Sequence, residues 1–143
     1  MRLAEAPFRN APLLTLEELT ARLEEFYRAV DEFNAGWYFE SHETLEDLWM
    51  VTPYPERQFF QGIIQLAAAF VHLARREYPG IFKLLDASEE KLREFAPAMF
   101  GVDVDGVLEG IARVRREFEV LGPDRFTEWN ESKRPRISYA REE

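Results

Sequence analysis

The stretch FFQGIIQLAAAFVHLA, residues 59–74, decides the fold. It is apolar on nearly every side, and its polar side chains are Gln61, Gln65 and His72 alone. On a helix at about 100° per residue, with Gln61 at zero, Gln65 falls at about 40° and His72 at about 20°. The three share one narrow stripe, with Ala68 also on it. A helix this apolar belongs at the centre of a helical core. Buried polar groups are costly unless hydrogen-bonded, so the stripe marks where partner groups should lie. The stretch is shorter than the ~18 apolar residues a membrane span requires, and its polar residues argue further against one.

Working outward, the central helix is expected from about Glu56 to Tyr78, with Pro79-Gly80 as its stop. Before it, WYFESHETLEDLWM (residues 37–50) reads as a helix closed by Pro53 and Pro55. With His42 at zero, Glu46 lies at about 40°, Trp49 at about −20°, Leu45 at about −60° and Phe39 at about 60°, which sets His42 and Glu46 in the middle of an apolar face. Glu40 and Asp47 should face water, with Glu43 at the edge. The short connection makes these two helices an antiparallel hairpin. That register sets Glu46 opposite Gln61 and His42 opposite Gln65, as mutually satisfied pairs with the Trp49 indole as a further donor. His72 falls roughly 10 Å further along, at 1.5 Å per residue, near the turn at Asn34 to Gly36.

Upstream, Thr15 and Glu18 form a capping box. Leu16, Leu19, Leu23, Phe26, Val30 and Phe33 then recur at steps of three and four, which predicts one amphipathic helix ending at Asn34 and Gly36. Downstream, a fourth helix is expected from about Ile81 toward Phe95. MFGVDVDG reads as a loop whose Asp103 or Asp105 caps a fifth helix, carrying Val104, Val107, Ile111, Val114, Phe118 and Leu121 inward. No stretch alternates convincingly as a strand. The expected fold class is all-α, a compact array or bundle of about five helices in a single domain over residues 1–143, with an N-terminal arm over 1–14 and a polar tail over 124–143. The tail carries Phe126, Trp129, Ile137 and Tyr139, which can anchor it on the body or on a second subunit.

The formal net charge is −9, which disfavours nucleic acid as a partner. The basic spots RVRRE (113–117) and KRPR (133–136) are flanked by acids and read as solvated, ion-paired surface. There is no cysteine, which excludes disulfides and thiolate metal sites. The first residues lack the apolar run of a secretory signal, which points to the cytoplasm.

FNAGWYFESHETLEDLW, FFQGIIQLAAAFVHLARR and PGIFKLL together resemble the domain-of-unknown-function family 309. Its motif F-N-x-G-x-x-x-E-x-H-E-x-L-E-x-x-W is matched by Phe33, Asn34, Gly36, Glu40, His42, Glu43, Leu45, Glu46 and Trp49. Its motif F-x-Q-G-L-I-Q is matched by Phe59, Gln61, Gly62, Ile64 and Gln65, with Ile63 standing where leucine is usual, and His72 follows. The resemblance covers about residues 30–95. It implies a small helical fold and no particular activity.

Three readings of the cluster His42, Glu43, Glu46, Gln61, Gln65 and His72 follow. HETLE echoes the H-E-x-x-H metalloprotease motif, with Glu43 in the general-base position, but Glu46 replaces the second histidine and glutamines are poor zinc ligands. No bound metal and no cofactor are expected. A second reading is a pocket for a small metabolite, with Glu43 or Glu46 as acid or base and Trp37 and Trp49 as its aromatic lining. The favoured reading is a satisfied polar network fixing two helices, in a non-catalytic module that binds a protein partner or a second copy.

Overall fold

Small residues let the helices of this chain approach closely, and those approaches set the architecture. The computed structural model describes residues 13–140. Among them are six α-helices: α1 (Leu16–Ala21), α2 (Leu23–Asn34), α3 (Tyr38–Trp49), α4 (Glu56–Ala74), α5 (Tyr78–Leu92) and α6 (Val104–Arg125). A two-stranded antiparallel ribbon, β1 (Ala98–Met99) and β2 (Val102–Asp103), precedes α6. The fold is all-α as expected, and this ribbon was not legible as strand because each arm is two residues long. The N-terminal arm lies outside the described residues up to residue 12.

The central helix is α4. Phe59, Phe60, Ile63, Leu66, Ala67, Ala69 and Phe70 are all buried, spread around most of its circumference. Its largest interface is with α5. There Gly62 lets the backbones meet, since a Cβ on it would lie 2.8 Å from Leu92 Cδ2. The fully buried Ser88 hydroxyl of α5 donates to Gly62 O across the crossing at 2.7 Å. Ser41 of α3 does the same to Ala29 O of α2 at 2.8 Å. Both hydroxyls are satisfied by a carbonyl that already serves its own helix, so neither burial leaves a polar group stranded. The rings of Phe26, Phe59, Phe60 and Phe100 pack at tilted, edge and stacked angles in the centre of the core.

The element ends depart from expectation in three places. The first helix divides at Arg22 (φ −105°, ψ 8°), whose N–H bonds Leu19 O in a tight turn, and Leu16 is exposed rather than in the core. The capping box at Thr15 and Glu18 is present. The central helix stops at Ala74, not Tyr78, because Arg76 takes a left-handed conformation (φ 59°). Pro79 and Gly80 therefore open α5 instead of closing α4; proline suits a first helical turn because its missing N–H has no intrahelical partner there. Asp103 caps α6 through its carboxylate on Gly106 N–H, and at Gly122 (φ 74°, ψ 179°) the helical backbone is broken, as Gly122-Pro123 was expected to end the helix, before a further turn to Arg125.

The tail is docked through residue 140. Phe126 is buried against Tyr78, and Trp129 packs between Phe70 and Phe118 with ring centroids 5.7 and 5.4 Å away. Beyond it the chain runs extended. Pro135 and Ile137 are buried while Arg136 and Ser138 are exposed, the alternation of an edge strand. Asn34 holds this run with its side-chain amide, donating to Ile137 O and accepting from Ile137 N, both at 2.9 Å. Asp103 N–H bonds Ser138 O, and Tyr139 bridges to Val102.

Two outcomes follow. Gly62→Ala must push Leu92 out of place; over-packing of this kind costs about 1–3 kcal/mol, and urea unfolding will show a lowered midpoint with an unchanged slope. Glu117 accepts from Lys133 Nζ and Asn130 N–H, and these bonds hold its carboxyl below its ordinary range. A depressed carboxylate contributes stability that is present above its unfolded pKa and lost as pH falls through the folded value. Glu117→Gln will therefore flatten the acid limb of the stability profile below about pH 4.5, near the ordinary glutamate range, and loosen the tail at neutral pH; a profile identical to the parent would remove Glu117 from the tail's anchorage.

Candidate functional site

The polar residues of α3 and α4 line a groove that reaches solvent. On α3 the core-facing stripe is Ser41, Leu45 and Leu48, all fully buried. His42 and Glu46 sit one position round, on the flank, with side chains 26% and 33% exposed. The expectation that they occupy the middle of the buried face is corrected by this rotation. The wheel centred on them because Phe39 and Trp49 are apolar, yet Phe39 is half exposed and Trp49 only partly buried. Glu43 is exposed and does not line the groove, as with Glu40 and Asp47.

The groove encloses about 330 Å³. Its α3 wall is His42, Glu46 and Trp49, and its α4 wall is Gln61, Ile64, Gln65 and Ala68, with Leu84 of α5 closing one side. Ala68 is the small residue on the polar stripe, and its missing bulk opens the space facing His42. A smaller hollow of about 160 Å³ continues past His42 and Ala68 to Phe39, Val71, His72 and Arg75. At the other end, beyond Trp49 and Gln61, a wider recess of about 600 Å³ is lined by Tyr54, Arg57, Gln58 and Lys91. The Arg57 guanidinium lies 4.1 Å over the Trp49 ring, a cation–π contact that fixes the indole at the junction.

All four residues of the expected pairs thus face one space, but the His42–Gln65 pairing does not form through the atoms that face inward. His42 Nδ1 and Gln65 Oε1 are both buried, and both lack a hydrogen-bond partner. His42 Nε2 stands 3.9 Å from Glu46 Oε2 on its own helix, beyond hydrogen-bond range, and its ring lies parallel to that of Phe39. His72 is not at the Asn34 turn. Its Nδ1 lies 2.9 Å from Glu77 Oε1, close enough for an ion pair but out of line for a hydrogen bond. Its ring packs on Gly80, where a Cβ would come within 2.7 Å of Nδ1. Among the described residues no three of His, Asp and Glu come together in a way that could hold a metal ion. Trp37 is 60% exposed and outside the groove. Phe39, Arg57, Arg75 and Leu84 line the groove system and were missed. Phe39 lay on the wheel's apolar face, where it read as core, whereas the placement of Arg57, Arg75 and Leu84 depends on how neighbouring elements fold over the hairpin.

The molecule is therefore a small helical domain with an open polar groove beside its central helix. Residues 26–84 match the model of the domain of unknown function DUF309. The chain is similar to the uncharacterized protein YpuF of Bacillus subtilis (strain 168), 33% identical over 87 residues, which is 59% of this chain and 50% of that protein. The chain thus spans about half the length of that curated relative. No solved structure matches it. No helix among the described residues is long and apolar enough to cross a membrane.

A buried acceptor with no donor costs about 1–3 kcal/mol. Gln65→Leu, of similar size, will leave thermal stability unchanged or raise it, as read by differential scanning calorimetry. A clear loss of stability would mean that Gln65 is a partner in a structural network after all.

Proposed function

We propose that this domain is a non-catalytic binding module whose ligand is a small planar molecule held in the groove between α3 and α4. The carrying observation is that His42 and Gln65 line opposite walls of one open groove while each keeps a side-chain atom, His42 Nδ1 and Gln65 Oε1, shielded from water and without a hydrogen-bond partner. Native chains seldom leave such atoms unpaired, and a ligand that supplies their hydrogen bonds removes the penalty on binding. Gln65 Oε1 can only accept, so it calls for an N–H or O–H donor. The flat faces nearby, Trp49 beneath Arg57 and the aliphatic Ile64 and Leu84, suit a ring. A volume of about 330 Å³ suits one or two fused rings.

The test is a titration of the labelled protein with benzimidazole, a planar N–H donor, followed by proton–nitrogen correlation spectra. The largest shifts are expected at the side-chain amides of Gln61 and Gln65 and at the Trp49 indole. Ala68→Leu fills the groove and should abolish them. Gln65→Leu should weaken binding by about three- to tenfold, the worth of one hydrogen bond. Shifts centred elsewhere, or binding indifferent to both substitutions, would overturn the reading.

A protein partner or a second copy is the alternative occupant of this face. It is supported by Trp37 and Phe39, which are 60% and 50% exposed at the start of α3. Under that reading, sedimentation equilibrium should report a dimer or a partner complex that Trp37→Ser dissociates.

A further inference from the structure

The two basic spots of the sequence, separated by about twenty residues, are brought together by the docked tail. Arg113 of α6 and Arg134 and Arg136 of the tail line one depression of about 270 Å³, with the Ser132 and Ser138 side chains on its rim. The extended run explains this. Residues 134, 136 and 138 share one face of the extended run at a period of two, while Pro135 and Ile137 point into the body, and Ser132 joins them from the 3-10 turn just before. Gly110 makes room for Pro135, since a Cβ there would lie 2.7 Å from Pro135 Cβ. The run is held in register by the Asn34 clamp on Ile137.

The charges are unbalanced in this depression. The expected ion pairing holds for other members of the basic spots: Lys133 goes to Glu117, and Arg115 goes to Asp86 and Glu89 of α5. Arg134 is turned to Asn34 O and the Tyr38 hydroxyl, at 3.2 and 3.4 Å, so it is positioned without being neutralised. Among the described residues Arg113 and Arg136 have no carboxylate partner. The single acid on the wall, Asp103, has one oxygen committed to Gly106 N–H at the start of α6. Three guanidinium groups against one occupied carboxylate, in a chain of net charge −9, make a local positive concavity on an acidic surface.

We infer that this depression is a binding site for a small phosphorylated anion, distinct from the α3–α4 groove. Guanidinium groups match phosphate oxygens in paired, charge-assisted hydrogen bonds, and the serine hydroxyls add neutral donors. The small volume fits a phosphate or diphosphate group and not a polymer, and the acidic surface around it repels a nucleic acid strand.

The experiment is isothermal titration calorimetry of the full chain with inorganic pyrophosphate at low salt. Saturable binding at one site per chain is expected, weakening as salt is added. Arg113→Gln and Arg136→Gln should each weaken it by about tenfold, the loss of one charge-assisted contact. Both side chains are exposed, so circular dichroism should show both variants folded. Arg116→Gln, on the same helix but outside the depression, should bind as the parent does. Equal weakening by Arg116→Gln would show general surface charge and overturn the site, as would absence of binding. Tighter binding of a single-stranded RNA oligonucleotide, lost in the same variants, would overturn the small-anion assignment in favour of a polymer.

Discussion

The crossing of α4 and α5 at Gly62 is the constraint on which the rest of the structure depends. A helix buried on nearly every side needs neighbours on every side, and one of them must come closer than ordinary side chains allow. Gly62 permits that approach, and Ser88 makes it specific by donating to the glycine's own carbonyl. With α5 seated there, Leu84 is carried to the edge of the polar groove and Tyr78 reaches Phe118 O on α6. The position of α6, and hence of the tail, follows from the same crossing.

The groove exists because the polar stripe of α4 is not matched by a polar stripe of equal depth on α3. Ser41, Leu45 and Leu48 take the core, so His42 and Glu46 are rotated to the rim and water can reach the space between the helices. A half-open groove keeps polar side chains in place without the full cost of burying them. It also leaves His42 Nδ1 and Gln65 Oε1 without hydrogen-bond partners beside that opening.

Much of the fold was legible in the sequence for reasons that are local. The capping box at Thr15, the three-four pattern from Leu23 to Phe33 and the Asp103 cap are decided by contacts within a few residues. What escaped is what depends on distant partners. Nothing near Asn34 reveals that its amide pairs with Ile137 from more than a hundred residues away. The rotation of α3 by one position is equally invisible, because Phe39 and Trp49 are apolar whether they face the core or a groove. Pro79-Gly80 misled because the pair serves a helix start as well as a helix end. For the candidate site, the residue types and their common direction could be read, while the openness of the space between them could not.

The segment that matches the family ends at residue 84, yet Phe70 within it is covered by Trp129, and the Asn34 amide within it is satisfied by Ile137. The matched segment is thus an incomplete solid, with one face finished by a piece of chain from elsewhere. Any protein that carries the same segment without an equivalent tail has to close that face by other means, with a different terminal stretch or with a neighbouring chain. Variation among such proteins should therefore concentrate in what lies over Asn34 and Phe70, and the lid rather than the helices would distinguish one member from the next.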